Sequence, residues 1–162
     1  AGQRAVRDLR ADGVEVVALI DSAAPTGLMV KDSPVRGTSR VQYYRAGSAA
    51  SRLTVGDLPV IDFDDVAVFH ITGITLALSE DARSAAFELV HRARGSGARV
   101  SFDVNYRSKL WSHSDASPWY RHMASLVDIV FGGDEELAMV VDVPADDHDA
   151  LIEAVQALGP GE

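Results

Sequence analysis

The sequence contains no cysteine, and this absence excludes several classes of protein at once. Without thiols there is no disulfide scaffold, no thiolate zinc site and no cysteine nucleophile. No apolar run reaches the length of a membrane span, and the first residues lack the cationic and apolar pattern of a secretion signal. We therefore expect a cytoplasmic location.

Positive charge is also scarce. The 162 residues include 15 Lys+Arg against 24 Asp+Glu, which gives a formal net charge of -9. An acidic surface repels the phosphate backbone of nucleic acids and anionic bilayers, so the charge argues against a nucleic acid or a membrane as partner. A small molecule is the expected ligand. Thirteen of the basic residues are arginine, and the only lysines are Lys31 and Lys109.

Several catalytic motifs are missing from the sequence. The five histidines show no metal-ligand spacing, which gives a metalloenzyme little support. The chain has no G-x-S-x-G, no P-loop and no G-x-G-x-x-G segment. Hydrolase, P-loop and dinucleotide-binding functions therefore lack the residues on which they depend.

The second half of the chain alternates between strand and helix patterns, and 47% apolar residues suffice for a buried core. This alternation predicts a parallel sheet covered by helices, hence an α/β fold. The predicted strands span residues 66–74, 99–104 and 128–133, and the predicted helices span 79–94, 118–126, 134–141 and 150–158. Before them, a helix over 3–11 and a strand over 14–20 suggest that an N-terminal stretch of the fold is missing.

Residues 25–46 have a different character. Two short strands, 28–31 and 40–45, flank a loop with proline and glycine, which predicts a hairpin. Its polar residues lie on both faces, which is wrong for a central strand of a parallel sheet, so we place it outside the core as a lid. The predicted organisation is the start of the core in 1–24, a β lid in 25–52 and the rest of the core in 53–162.

The segment DVNYR, residues 103–107, follows a predicted strand. Ligands of open parallel sheets bind beyond the carboxyl ends of the strands, where this segment lies. Arg107 can hold a carboxylate or phosphate through two parallel N–H bonds. The alternative is a surface arginine paired with a nearby acid, beside Asp and Asn residues that only form the turn.

Two further segments carry polar groups that suit a ligand. In the hairpin, Tyr43 and Arg45 lie on the same face of a strand and could grip an anionic, hydroxyl-rich ligand, although cross-strand aromatic packing is the more common arrangement. In GGDEEL, residues 132–137, three carboxylates stand at a helix N-terminus. They either complement the helix dipole or orient a hydrated Mg²⁺ beside a phosphate.

Four segments together resemble a known family. APTGLMVK at 24–31, RVQYYRAGSAASRL at 40–53, FHITGITLALS at 69–79 and VSFDVNYRSKLW at 100–111 resemble, in this order and spacing, the ribokinase-like (PfkB) carbohydrate kinases. The pairing of YYRAGSAAS with DVNYR is most similar to the 2-keto-3-deoxygluconate kinases of that family.

The resemblance implies a three-layer α/β/α core with a small β-sheet lid. It further implies ATP and Mg²⁺ as cofactors, and transfer of the γ-phosphate to the terminal hydroxyl of a 2-keto-3-deoxy sugar acid. The implied substrate-binding residues are Met29, Tyr43, Tyr44, Arg45 and Arg107. The implied cofactor-binding residues are Asn105, Tyr106, Arg107 and Glu136, with Glu136 also organising the metal. Lid-to-lid pairing into a homo-oligomer is a further implication.

The sequence departs from the family pattern in two places. Gly133 stands where the family's Asn-x-x-Glu motif has asparagine, and Met29 stands where related kinases often have an aromatic residue. The family's Gly-rich sugar-binding segment and its Gly-Ala-Gly-Asp motif, with the general base and the anion hole, do not occur in these 162 residues. We therefore expect a central segment of a kinase that does not catalyse alone.

Two alternatives stay open on the sequence. A fructokinase or another PfkB sugar kinase shares the core pattern, but a neutral sugar supplies no carboxylate for Arg45 and Arg107. The second alternative is a non-catalytic α/β ligand-binding module or a truncated remnant.

Overall fold

The computed structural model describes residues 1–33 and 40–159, which form two separate sheets. Strands β1 (Leu28–Asp32) and β2 (Arg40–Tyr44) pair antiparallel, as predicted for the hairpin. Strands β3 (Val68–Thr72), β4 (Arg99–Asp103) and β5 (Ile129–Phe131) form a parallel sheet in the order β3-β4-β5. Most of the predicted hairpin loop, residues 34–39, lies outside the described part of the chain.

Helices connect the parallel strands and follow the sheet, which confirms the α/β fold. Two short 3-10 helices, Ala49–Arg52 and Val55–Asp57, lead from the hairpin to this sheet. The α-helices are α1 (Gly2–Ala11), α2 (Gly73–Leu76), α3 (Glu80–Gly95), α4 (His113–Ala124), α5 (Asp134–Val141) and α6 (His148–Gln156). None of the described helices combines the length and the apolar character that crossing a membrane requires.

Helix α3 begins where its cap predicts. The Ser79 hydroxyl accepts a hydrogen bond from the Ala82 N–H at 3.0 Å, so one of the free donors of the first turn is satisfied. The buried face of α3 includes Val90, which joins the core with Val100 and Phe102 of β4. The core therefore lies between the parallel sheet and the helices that connect its strands.

The predicted strand over residues 14–20 is wrong, because the structure has no strand there. Val17 and Ile20 are 70% and 88% exposed. A run of β-branched residues becomes a strand only when a neighbouring strand accepts its backbone hydrogen bonds. Within residues 1–33 and 40–159, the sheet pairings do not include this run.

Several predicted element boundaries also differ. Helix α4 starts at His113 and not at Pro118, because Ser112 provides the cap: its hydroxyl accepts from the Asp115 N–H at 3.2 Å. The strand predicted over 66–74 ends at Thr72, whose side chain caps α2. Helix α6 begins two residues before the predicted start, at His148.

Candidate functional site

The candidate site lies at the carboxyl ends of β3 and β4. The backbone leaves β4 through Asn105, whose φ of 43° falls in the left-handed region that asparagine tolerates better than most residues. The Asn105 side chain then donates from Nδ2 to the hydroxyl oxygen of Thr72 at 3.2 Å. The sharp turn and this bond tie the DVNYR loop to the neighbouring strand end.

Glu136 anchors the same loop from the other side. One carboxylate oxygen accepts from the Tyr106 backbone N–H at 2.7 Å, and the other accepts from the Gly133 backbone N–H at 3.1 Å. The carboxylate therefore joins the loop after β4 to the turn that opens α5. Its predicted role at a metal stays a prediction, and the described residues include no group of three or more His, Cys, Asp or Glu side chains that could hold a metal ion.

Arg107 is half-buried beyond this anchor. Its guanidinium donates to the Tyr106 carbonyl at 2.8 Å, and its own carbonyl accepts from the Leu110 N–H at 2.9 Å. In the described parts of the chain, none of the ion pairs involves Arg107. The structure therefore gives no support to the alternative in which an acid neutralises this arginine.

The hairpin brings together the side chains that alternation predicted on one face. The Arg45 guanidinium carbon lies 4.4 Å from the centre of the Tyr43 ring, a cation–π contact. Met29 is the cross-strand partner of Tyr43. Tyr44 lies on the opposite face, where its hydroxyl donates to Gln42 Oε1 at 3.1 Å, so the structure does not bring Tyr44 next to Arg45.

One side chain that the sequence analysis missed connects the hairpin to the loop after β4. The Lys109 ammonium donates to the Val41 backbone carbonyl at 2.8 Å and lies 6.0 Å from the centre of the Tyr43 ring. Lys109 follows Arg107 by two residues, so the predicted hairpin and loop segments do meet. The only sequence signal was the rarity of lysine among the basic residues.

Gly73 and Tyr120 pack against the backbone that continues β4 into the site. A β-carbon on Gly73 would lie 2.1 Å from the Val104 carbonyl oxygen and 2.8 Å from the Tyr120 ring, so only glycine fits between β3 and α2. Burial raises the pKa of the Tyr120 phenol to about 12, which keeps the group neutral. Its hydroxyl donates weakly, at 3.5 Å, to the Gly73 carbonyl.

One cavity in the described part of the chain lies away from this site. A cavity of about 680 Å³ lies between β5, α4 and α6, lined among others by Arg99, Asp128 and Ile152. Arg99 begins β4 and Asp128 precedes β5, so this cavity is at the amino ends of the strands. Ligands of parallel sheets bind at the opposite edge, and polar groups converge there in this chain.

Comparison with known proteins identifies the family. The description "pfkB family carbohydrate kinase" matches residues 1–161. The chain belongs to this family. The family resemblance of the four sequence segments is thereby confirmed, and with it the ribokinase-like α/β fold.

Curated relatives name two related activities. The chain is 34% identical over 146 residues to a protein of Haloferax volcanii named 2-dehydro-3-deoxygalactonokinase, covering 90% of this chain and 46% of the relative. It is 42% identical over 113 residues to a 2-dehydro-3-deoxygluconokinase of Thermoproteus tenax, covering 68% of this chain and 34% of the relative. The chain thus spans less than half the length of either relative.

A solved structure shows the same fold with a nucleotide. The fructokinase of Xylella fastidiosa with bound ATP superposes with a TM-score of 0.78 at 26% identity, covering 98% of this chain and 49% of that protein. Sugar-acid kinases and sugar kinases therefore both occur among the relatives of this PfkB chain, so family membership alone does not specify the sugar.

Proposed function

We propose that this chain is the central part of an ATP-dependent kinase that phosphorylates 2-keto-3-deoxygluconate or a closely related 2-keto-3-deoxy sugar acid. The observation that carries the proposal is that cations from two elements lie beside the Tyr43 ring. Arg45 comes from the hairpin and Lys109 comes from the loop after β4, where Arg107 precedes Lys109 by two residues. None of these three is ion-paired within residues 1–33 and 40–159.

The chemistry of these cations suits an acidic ligand. A guanidinium matches the two oxygens of a carboxylate through parallel, charge-assisted hydrogen bonds, and a neutral hexose has no carboxylate. A sugar acid supplies the carboxylate, and the phenol of Tyr43 suits its hydroxyl groups.

ATP is the proposed phosphoryl donor, supported by the nucleotide bound to the similar fructokinase. Asn105, Tyr106 and Arg107 are the residues that would line the phosphates, and Glu136 is the residue that would organise Mg²⁺. Phosphoryl transfer depends mainly on positioning and charge stabilisation. The rigid turn after β4, held by Thr72 and Glu136, is suited to position these groups.

A fructokinase is the second candidate, and the similarity to the Xylella fastidiosa enzyme favours it. The two candidates differ in what the arginines do. In a fructokinase, the neutral sugar supplies no carboxylate for Arg45 and Arg107, so the charge of Arg107 would act on the nucleotide phosphates. In a sugar-acid kinase, loss of Arg45 weakens binding of the sugar acid and leaves the KM for ATP unchanged.

The test is a coupled kinase assay on the whole protein with 2-keto-3-deoxygluconate, fructose and ribose. We expect a preference for the keto acid. Arg45→Ala and Arg107→Ala remove charge-assisted hydrogen bonds worth about 1.5–3 kcal/mol each, so kcat/KM for the keto acid should fall by about 10- to 150-fold. The matched control is Arg94→Ala, in the last turn of α3 at the opposite end of the sheet, which should leave both KM values unchanged.

Three results would contradict the proposal. Equal turnover of fructose would favour the second candidate. An Arg45→Ala enzyme with the parental KM for the keto acid would show that Arg45 does not bind the sugar acid. Turnover of none of the three sugars by the whole protein would favour a non-catalytic module. That residues 1–162 alone are inactive stays a prediction, which the same assay on this chain checks.

A further inference from the structure

Lys109 forms a hydrogen bond between the loop after β4 and the hairpin. It is one of two lysines, and its ammonium makes the contact that joins the hairpin to the loop after β4. The residues it joins, Val41 and Lys109, are 68 positions apart in the sequence. The contact is therefore a tertiary link between two segments that lie far apart in the sequence.

The acceptor of this bond is a backbone atom. Because Lys109 bonds the carbonyl of Val41 and not a side chain, the contact fixes the position of strand β2 itself. Tyr43 lies two residues further along the same strand and on the same face as Val41. Holding Val41 therefore sets how far the Tyr43 ring and the guanidinium of Arg45 above it stand from the loop.

The other end of the contact is equally constrained. The turn that carries Lys109 is closed by the bond from the Leu110 N–H to the Arg107 carbonyl at 2.9 Å. The same loop is fastened upstream by the Glu136 carboxylate on the Tyr106 N–H. Lys109 thus reaches the hairpin from a segment whose position relative to Arg107 is fixed by backbone hydrogen bonds.

We infer that Lys109 is a positioning residue that sets the distance between the hairpin, with Tyr43 and Arg45, and the loop with Arg107. The inference rests on the proposed function, since it concerns the binding of the same sugar. Lys109 holds the two halves of the site together through Val41, and its charge lies near enough to Tyr43 to strengthen the contact. Without it the hairpin keeps its fold but loses its fixed distance from Arg107.

Three substitutions separate the parts of this role. Lys109→Met keeps the length and the apolar stem but removes the donor and the charge, and Lys109→Gln keeps a shorter neutral donor. Lys109→Arg keeps charge and donors, and should restore the parental behaviour to within about twofold. Lys31→Met is the matched control, because Lys31 is the other lysine and belongs to the hairpin strand β1.

The measurement is steady-state kinetics of the whole protein, with the sugar and ATP varied separately. We expect Lys109→Met to raise the KM for the preferred sugar acid by about five- to tenfold, with the KM for ATP and the melting temperature close to those of the parent. A purely structural role would instead lower the melting temperature and the amount of active enzyme without a selective change in one KM.

The outcomes also distinguish this inference from the proposed function. If the parent prefers a neutral sugar, the sugar-acid assignment fails, and Lys109→Met is then measured with that sugar. A parental KM for the preferred sugar in Lys109→Met, or a rise of equal size in Lys31→Met, overturns the positioning role whichever sugar is preferred. Failure of Lys109→Arg to restore the KM overturns it as well.

Discussion

Gly73 offers the sharpest test of how the site is supported. The residue lies at the junction of β3 and α2, where Gly73→Ala would place a β-carbon 2.1 Å from the Val104 carbonyl oxygen. The carbonyl belongs to the backbone that continues β4, so it cannot rotate away as a side chain would. The β-carbon would also lie 2.8 Å from a ring carbon of the buried Tyr120, so it cannot avoid the Val104 carbonyl by moving toward that ring.

The size of the effect follows from these distances. Moving the β-carbon out to 3.0 Å, the closest approach that real β-carbons show, requires a shift of about 0.9 Å between two backbone segments of the core. Overpacking of a buried site costs about 1–3 kcal/mol. We expect the upper end of this range, because the clash is with a backbone atom that cannot rotate away. We expect Gly73→Ala to be destabilised by about 3 kcal/mol, which corresponds to a melting temperature at least about 5 °C lower.

The assay is thermal and denaturant unfolding of the whole protein beside a glycine with open surroundings. Gly95 ends α3 and a β-carbon there meets no atom within 4 Å, so Gly95→Ala should be neutral or stabilise by up to about 1 kcal/mol. If Gly73→Ala melts with the parent while remaining two-state, the close contact between Gly73 and Val104 is not a feature of the native protein and the reasoning is refuted.

Two further predictions concern groups beneath the site. Because the folded-state pKa of Tyr120 is raised to about 12 from 10.0, the unfolded chain loses the phenol proton first, so this contribution to stability is complete below pH 10 and is lost as the pH rises toward 12. Tyr120→Phe should flatten that part of the stability profile in urea titrations between pH 9 and about 12; an unchanged slope would contradict it. Glu136→Gln leaves one of two backbone N–H groups facing an amide NH₂ instead of a carboxylate oxygen, and should cost about 1–3 kcal/mol in chemical denaturation. A parental stability with a raised Mg²⁺ requirement would show instead that Glu136 acts at a metal and not as the anchor of the loop.

The elements that the sequence predicted well carry their signals locally. Helix α3 has its serine cap, acidic residues in the first turn and arginines in the last, and each signal concerns backbone groups within four positions. Helix α5 was predicted with its observed bounds, because an acidic first turn follows a Gly-Gly turn. These features need no knowledge of the rest of the chain.

The start of α4 shows why local signals can compete. Ser117 before Pro118 has the pattern of a helix start, and so has Ser112 with Asp115 three residues later. In the structure the helix has the earlier start. This start includes Ala116 in the helix, four residues before Tyr120, and both side chains are fully buried. Tertiary packing of these two side chains extends the helix over a turn that the proline signal had excluded.

The strand predicted over residues 14–20 failed for a different reason. Its β-branched composition describes a preference of single residues, whereas a strand is a relation between two segments. Lys109 was missed for the same reason, since its partner Val41 lies 68 positions away. Sequence patterns predicted both segments of the site, but they do not predict the contact between the two segments.

The site separates its polar groups into two sets, and this division argues for an anionic ligand. Asn105 donates a hydrogen bond to Thr72, and Glu136 accepts hydrogen bonds from two backbone N–H groups. These bonds hold the loop after β4 in place. Within residues 1–33 and 40–159, the cations Arg45, Arg107 and Lys109 contact backbone carbonyls or an aromatic ring. Positive charge from Arg45 and Lys109, held beside the Tyr43 ring, attracts a carboxylate or phosphate more strongly than it would if each cation were paired.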